Sequence, residues 1–113
     1  MKLLCLIPAR KNSRRLKNKN FLKINGEMLI EKTIKLALKI KSFNEIIVSS
    51  DNQKINKFKN KYKKLEIINR PKNISKDNTP MSDVIKHSLK FFKMQNKKFD
   101  AVIVLQPTSP LRK

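Results

Sequence analysis

The sequence of 113 residues has one cysteine, Cys5, one glycine, Gly26, and no tryptophan. A single cysteine excludes an intramolecular disulfide framework and a zinc site built from several cysteines, and it favours a cytoplasmic protein. A single glycine excludes both the glycine-rich Walker loop and the dinucleotide-binding fingerprint. No apolar run approaches the ~20 residues that a helix needs to cross a bilayer, so we expect no membrane partner.

Negative charge is also scarce, because 28 lysines and arginines stand against 8 acidic residues and give a formal net charge of +20. Such a balance attracts polyanions, whether nucleic acid, anionic lipid or nucleotide phosphate. The lysines are spread along the whole chain, however, and the aromatic residues on which bases stack make up only 6%. We therefore interpret most of the charge as solvated surface and expect no nucleic-acid partner.

A cluster of cations near the N-terminus is the exception. The ten residues from Arg10 to Lys19 include six lysines and arginines. Two unit charges ~4 Å apart interact by ~4 kcal/mol at a surface-like dielectric, so a folded loop of this kind loses stability unless an anion neutralises it. The cluster therefore predicts a phosphate clamp, with a flexible, solvated basic loop as the alternative.

The order of the predicted elements indicates an α/β fold. Hydrophobic residues make up 39% of the chain, enough for a packed core, and residues 1–113 have the length of one domain or a piece of one. A continuous apolar run predicts a strand buried on both faces at 3–7, and further strands are predicted at 45–50, 65–68 and 101–105. Helical patterns begin at Met28, after Asp51 as a helix cap, and at Met81. This alternation predicts an open, mostly parallel sheet with helices on both faces.

The helical patterns also predict which side chains are buried. The first helix should bury Ile30, Ile34, Ala37 and Leu38, with Leu29, Thr33, Leu36 and Ile40 widening the stripe. The second should bury Ile55, Phe58 and Tyr62, and the third Met81, Val84, Ile85, Ser88, Leu89 and Phe92, with Ser82 or Asp83 serving its first turn. The strand containing Cys5 should make that residue a small core side chain.

Polar residues concentrate where the predicted strands end. Ligands of open α/β sheets bind beyond the carboxyl ends of the strands, which here are followed by segments 8–20, 49–51, 69–79 and 106–112. Asp51 is either a magnesium ligand or a helix cap, and Asp77 either touches a ligand or closes an Asx turn. We expect a structural or surface role for His87, which has no recognisable nucleophile or second metal ligand beside it.

Five ordered motifs in these segments resemble those of acylneuraminate cytidylyltransferases, the CMP-sialic acid synthetases. The segment 7–20, IPARKNSRRLKNKN, is similar to the family opening I-P-A-R-x-G-S-K-R-x-P-x-K-N. Three shorter motifs follow, namely VSSD at 48–51, RP at 70–71 with Asp77, and HSL at 87–89. Segment 105–112, LQPTSPLR, matches the family motif in full.

The resemblance implies a Rossmann-like, three-layer αβα nucleotidyltransferase that joins CTP to an acidic nine-carbon sugar with magnesium assisting. By motif position it implies that Arg10 and Lys19 are catalytic and hold the triphosphate, and that Ser13 and Asn20 bind phosphates or ribose. It implies that Arg70 and Asp83 contribute to cytosine binding. On the sugar side it places Gln106, Thr108 and Ser109.

The sequence also departs from the family pattern, most of all in length. Asn12 stands where the family has glycine, and Lys17 replaces a proline. Family members are roughly twice as long, and their metal-binding aspartates and dimerisation element follow the segment seen here. The resemblance therefore implies an incomplete domain, with most magnesium ligands outside the chain, a homodimer only at full length, and weak or no activity for the isolated chain. A basic, non-enzymatic module that binds nucleic acid or phospholipid is the alternative, and the identity of the sugar stays open.

Overall fold

Four parallel strands form the central sheet of the structure, a computed structural model that describes residues 1–9, 23–24, 27–75 and 79–107. The strands lie in the order β5-β4-β1-β6, so β1 pairs with both β4 and β6. The elements in chain order are β1 (Leu3–Ala9), β2 (Lys23–Ile24), β3 (Glu27–Met28), α1 (Leu29–Lys39), β4 (Glu45–Ser50), a 3₁₀ helix (Gln53–Asn56), α2 (Lys57–Lys61), β5 (Leu65–Asn69), a second 3₁₀ helix (Lys72–Ile74), α3 (Met81–Lys93) and β6 (Ala101–Val104).

Two hydrophobic cores lie on opposite faces of this sheet, because alternate residues of a strand point to opposite sides. On one face Cys5 and Ile7 of β1 pack with Ile30 and Ile34 of α1 and with Phe58 of α2. On the other face the core comprises Leu4, Leu6, Ile47, Ile68, Val84 and Phe92, the last two from α3. The predicted parallel sheet with helices on both faces is therefore confirmed, and all four predicted strands are present.

The buried stripe of α1 is narrower than predicted. Ile30, Ile34 and Ala37 are fully buried and Thr33 is buried, as the helical spacing indicates. Leu36, however, is 52% exposed and Ile40 is 38% exposed, so their assignment to the buried face was wrong. Leu36 follows Ile30 by six residues, which at 3.6 residues per turn places it about 120° around the helix and off the buried face. Ile40 lies beyond the last helical residue, Lys39.

The segment after β4 differs from the single helix that the sequence predicts. It forms the 3₁₀ helix and then the short helix α2, and the first cap is Asn52 rather than Asp51. The Asn52 side chain accepts a hydrogen bond from the backbone N–H of Lys54 at 3.0 Å. The predicted buried residues are nevertheless correct, since Ile55 and Phe58 are buried and Tyr62 packs against them.

Two further elements were not predicted, and the third helix starts without a side-chain cap. β2 and β3 form an antiparallel pair, and Gly26, which stands between them in the sequence, lies outside the described residues. The second 3₁₀ helix interrupts the predicted loop 69–80. α3 begins after Pro80, whose carbonyl oxygen accepts the backbone N–H of Asp83, so neither Ser82 nor Asp83 caps it through a side chain.

Cys5 occupies the centre of the sheet and is fully buried, as predicted for a small core residue. Its burial raises the pKa of the thiol to about 11, because the thiolate loses its hydration there. Among the described residues, no helix is long and apolar enough to cross a membrane.

Candidate functional site

The carboxyl ends of three neighbouring strands meet in one row. Ala9 of β1 pairs with Ser50 of β4, and Ser50 pairs with Asn69 of β5. The chain leaves β1 for β4 on one side and later returns to place β6 on the other side of β1. A reversal of strand order of this kind is where open α/β sheets bind their ligands. The basic segment that begins with Arg10 follows this end of β1 directly in the sequence.

Arg70 joins the ends of β5 and β4. Its backbone N–H donates to the carbonyl oxygen of Ser50 at 2.7 Å and so continues the strand pairing by one residue. Its guanidinium donates through Nε to Ser49 Oγ at 3.1 Å and through Nη2 to the Ser49 carbonyl oxygen at 2.9 Å. Arg70 is only 6% exposed and Ser49 is fully buried. Arg70 therefore places a fixed positive charge at the carboxyl edge of the sheet. The planar guanidinium is held there by the two hydrogen bonds that it donates to Ser49.

Ser50 shapes the turn beside this arginine. Its hydroxyl accepts the backbone N–H of Asn52 at 3.1 Å, and Asn52 in turn caps the 3₁₀ helix. Ser50 and Asn52 are both buried. The turn after β4 is consequently fixed by two side-chain hydrogen bonds, which hold the backbone at the end of the strand in one conformation.

His87 lies on α3 close enough to Arg70 for the two groups to interact electrostatically. Burial, then the charge of Arg70 and then that of Lys90 lower the pKa of the imidazole below its usual value of 6.5. Within the part of the chain that the structure describes, its buried Nδ1 has no hydrogen-bond partner. The lowered pKa makes His87 a neutral, half-buried side chain at neutral pH, and the structural or surface role expected for it stays a prediction.

Three of the predicted site residues lie within the described part of the chain. Arg70 is buried at the end of β5, Asp83 is half-buried in the first turn of α3, and Gln106 is exposed two residues after β6. The remaining predicted site residues lie outside the described residues; they are Arg10, Ser13, Lys19, Asn20, Thr108 and Ser109, and Asp77 lies there too. The structure therefore locates one predicted cation, Arg70, at the carboxyl edge.

The contact between Arg70 and Ser49 was not anticipated from the sequence. From the sequence, Ser49 is a member of the VSSD motif at 48–51, and no partner for its hydroxyl is predicted. The sequence feature that could have indicated this contact is the polar pair Ser49-Ser50 at the end of a largely apolar strand. Two buried hydroxyls need hydrogen-bond partners, and a nearby arginine supplies donors.

The described donors do not form a metal site. Asp51 and Asp83 are the carboxylates that follow β4 and open α3, and no group of three or more histidine, cysteine or acidic side chains comes together among the described residues. Magnesium bound by protein alone takes several oxygen ligands in octahedral geometry. We therefore derive no chemical step through a metal held by these residues.

The sequence of this chain is similar to those of known cytidylyltransferases. Residues 4–113 match the family model for cytidylyltransferases. The chain is similar to the pseudaminic acid cytidylyltransferase of Campylobacter jejuni strain NCTC 11168, with 36% identity over 111 residues, which are 98% of this chain and 48% of that protein. It is 35% identical over 113 residues to the CMP-N,N'-diacetyllegionaminic acid synthase of Legionella pneumophila, covering 100% of this chain and 49% of that protein.

A further relative is the N-acylneuraminate cytidylyltransferase of Escherichia coli O18:K1:H7, with 32% identity over 98% of this chain and 25% of that protein. The chain thus spans about half or less of the length of these curated relatives.

Two solved structures share the fold. A structure of CMP:2-keto-3-deoxy-manno-octonic acid synthetase complexed with CTP has a TM-score of 0.71 and 24% identity, covering 100% of this chain and 43% of that one. A structure of 4-diphosphocytidyl-2C-methyl-D-erythritol synthase has a TM-score of 0.68 and 11% identity, covering 94% and 46%. Both confirm the open parallel α/β sheet predicted from the order of strands and helices, and the Rossmann-like fold that the resemblance implies.

Proposed function

This chain belongs to the cytidylyltransferase family, and from that premise we propose that it forms the CTP-binding half of an enzyme that activates an acidic nonulosonic sugar. The observation that carries the proposal is the match of residues 4–113 to the family model, over a sheet in which β1, β4 and β5 end in one row at the carboxyl edge. The relatives whose names specify a sugar all act on acidic sugars of this class, which supports the substrate assignment.

In the proposed reaction an oxygen of the sugar attacks the α-phosphorus of CTP. The anomeric hydroxyl forms the new O–P bond, the bond from the α-phosphorus to the bridging oxygen breaks, and pyrophosphate leaves. The hydroxyl proton passes to solvent or to a base. Reactions of this kind depend on positioning and on fixed positive charge, because charge spreads over the phosphate oxygens in the transition state.

The assignment of roles follows motif position. We propose that Arg10 and Lys19 hold the triphosphate and stabilise the developing charge, with Ser13 and Asn20 as hydrogen-bonding partners of phosphate or ribose. Arg70 and Asp83 are assigned to the cytosine side, and Gln106, Thr108 and Ser109 to the sugar side. The burial of Arg70 against Ser49 supports an indirect part for this arginine, in which it fixes the loop that contacts the base.

Magnesium and a homodimer belong to the proposed complete enzyme. Magnesium, when bound, would neutralise the charge of the triphosphate and of the departing pyrophosphate. The described carboxylates are too few to hold it alone, so most of its ligands are expected in the part of the relatives that this chain does not match.

Nucleotide binding is tested by thermal unfolding with CTP and with ATP at equal concentration. A ligand that binds only the folded chain raises its melting temperature, so we expect a larger shift with CTP than with ATP. Replacing Arg10 and Lys19 with alanine should abolish the CTP shift. The matched control removes two exposed lysines of α3, Lys90 and Lys93, and should leave the shift unchanged. Equal shifts for both nucleotides, or a shift that survives the first pair of substitutions, would contradict the proposal.

Catalysis and polyanion binding are measured separately. With CTP, magnesium and a panel of pseudaminic, legionaminic and N-acylneuraminic acids, the 113-residue chain alone should form little or no CMP-sugar. Robust turnover would show that the chain is sufficient by itself. Tight binding to DNA that weakens steeply with salt, together with no response to CTP, would instead support the non-enzymatic alternative.

A further inference from the structure

A pocket of about 310 Å³ lies at the amino edge of the sheet, at the opposite end of β4 and β5 from the candidate site. Its lining includes Leu38 and Ile40 around the end of α1, Phe43 in the turn that follows, Ile46 at the start of β4, and Lys64 just before β5. We call it the amino-edge pocket. Concave sites of roughly 300–1,000 Å³ with apolar walls and a few polar groups are typical of small-molecule binding.

Apolar side chains form the inner wall of this pocket. Ile46 is buried in the core on the α1 face of the sheet, and Leu38 and Phe43 pack against the same core while remaining half-buried. Ile40 is 38% exposed although its side chain is apolar. Because removal of apolar surface from water is favourable, a ligand with an apolar part gains affinity by covering these side chains.

Hydrogen bonds hold the wall of the pocket in place. The backbone N–H of Asn44 donates to the Leu3 carbonyl oxygen at 2.9 Å, and the Asn44 side-chain oxygen accepts the backbone N–H of Leu3 at 2.8 Å. The backbone N–H of Phe43 lies 3.5 Å from the Ile40 carbonyl oxygen and closes the turn after α1. This turn is therefore fastened to β1, so a ligand would find the pocket formed and would lose little affinity to the ordering of a loop.

The rim of the pocket is positively charged. Lys41 and Lys64 both line it and are exposed, and within the part of the chain that the structure describes neither side chain forms an ion pair or a hydrogen bond. Glu45 also lines the pocket, but its carboxylate is paired with Lys97 at 2.9 Å. The charge of Glu45 is thus balanced from outside the pocket, and the two lysines favour an anionic ligand.

We propose that the amino-edge pocket binds a small carboxylate with an apolar chain, its carboxylate between Lys41 and Lys64 and its chain against the apolar wall. At ~30 Å³ for each water molecule of the liquid, 310 Å³ corresponds to a ligand of ~10 non-hydrogen atoms. A carboxylate is a compact anionic head group and leaves most of this volume for the chain. The site lies away from the carboxyl edge and does not depend on the nucleotide chemistry.

The test uses octanoate, which has ~10 non-hydrogen atoms, and follows the amide NMR signals of the 113-residue chain. Octanoate should shift the signals of Phe43, Asn44 and Ile46 and saturate them with a dissociation constant of about 1 mM or lower. Octanamide has the same shape without the charge and should bind ~5-fold or more weakly. Equal binding of the two, or shifts confined to the cavity on α3 beside Leu89 and Met94, would overturn the proposal.

Paired substitutions separate a specific site from general attraction by the net charge. Lys41→Gln with Lys64→Gln should weaken octanoate ~5-fold or more and leave octanamide unchanged. Lys54→Gln with Lys98→Gln removes the same charge at exposed positions outside the pocket lining and should have no effect at ~150 mM salt, where charges are screened beyond ~8 Å.

The apolar wall is tested at its most exposed member. Ile40→Ser removes apolar surface at a position that is already partly open to solvent, so it should weaken octanoate and octanamide alike. Equal losses of octanoate affinity in the two lysine pairs would mean that net charge alone attracts the anion. That result, or unchanged binding in Ile40→Ser, would contradict the assignment of the ligand to this pocket.

Discussion

Arg70 and Ser49 fasten the ends of two adjacent strands to each other. The guanidinium donates to both the hydroxyl and the carbonyl oxygen of Ser49, and neither residue is open to solvent. Buried hydrogen bonds of a charged donor are worth more than those between neutral groups, and leaving one partner without the other is costly. The contact between Arg70 and Ser49 consequently stabilises the carboxyl edge of the sheet, although it is formed by polar groups.

Substitution of this arginine should destabilise the fold. Arg70→Lys keeps the charge but lacks the planar fork, so the hydroxyl and the carbonyl of Ser49 lose their shared partner. We expect a loss of ~1–3 kcal/mol in the free energy of unfolding, measured by urea denaturation at neutral pH. Ser49→Ala removes only the hydroxyl and should lose about 1 kcal/mol. Lys86→Ala, at an exposed position of α3, is the control, and a loss for Arg70→Lys no larger than for this control would contradict the role assigned to Arg70.

Stability should depend on His87 between pH 7.5 and 5.5. Its pKa is lowered in the folded chain, by burial first and then by Arg70 and Lys90, from a usual value of 6.5. Above pH 6.5 the imidazole is neutral in both states, and below it the unfolded chain binds a proton that the folded chain does not. The free energy of unfolding therefore falls as the pH decreases through 6.5 towards the lowered pKa, by at most ~1.4 kcal/mol per pH unit.

The sequence contains a single histidine, so this pH window isolates one group. His87→Gln should give a nearly flat stability profile over the same range, measured by urea unfolding at each pH. An unchanged slope in the variant would show that another group is responsible.

The sheet and its two faces were predictable because their signals are local and repeated. An apolar run such as Leu3 to Ile7 has few alternatives to a buried strand. The spacing of Ile30, Ile34 and Ala37 places all three on one face of a helix but not on one face of a strand. One error, the cap of the segment after β4, falls where a short-range polar contact decides the outcome. Asp51 and Asn52 are both good helix caps, and nothing in their order shows which side chain will accept the N–H two residues on.

The residues of the candidate site could be predicted only from motifs, because their contacts depend on which strands are neighbours in the sheet. Arg70 and Ser49 are 21 residues apart, and their contact exists because β4 and β5 are neighbours in register. No periodicity in the sequence reports a contact that depends on strand order. Motif order along the chain predicts a binding role for Arg70, whereas its burial against Ser49 could be found only from the fold.

Tyr62 and Glu31 link α2 to α1, and their hydrogen bond should contribute to stability. The Tyr62 hydroxyl donates to Glu31 Oε2 at 2.7 Å, and Lys61 contacts the same oxygen. Burial favours the neutral carboxyl, but the hydrogen bonds of Lys61 and Tyr62 and the charges of Lys61 and Lys35 together hold the pKa of Glu31 below its usual 4.5. Tyr62→Phe should lower the free energy of unfolding by ~1.5 kcal/mol at pH 7.

Lys61→Ala is the matched comparison and should lose less than about 1 kcal/mol, because the lysine side chain is 58% exposed. The contribution of Glu31 is present above pH 4.5 and is lost as the pH falls through its lowered pKa, so the difference between Tyr62→Phe and the unsubstituted chain should shrink at pH 3. A difference that is the same at pH 7 and pH 3 would mean that the Tyr62 hydroxyl contributes independently of the charge of Glu31.

Cys5 should be unreactive in the folded chain. It is fully buried in β1, and its pKa of about 11 leaves about one thiol in a thousand ionised at pH 8. We expect a disulfide-forming chromogenic reagent to react at least ~100-fold more slowly with the native chain than with the chain in concentrated urea. A cysteine at an exposed position, Met94→Cys in a Cys5→Ala background, is the control and should react at similar rates in both conditions, since Met94 is 81% exposed. Rapid labelling of Cys5 in the native chain would contradict this prediction. It would mean that β1, the strand between β4 and β6, opens readily.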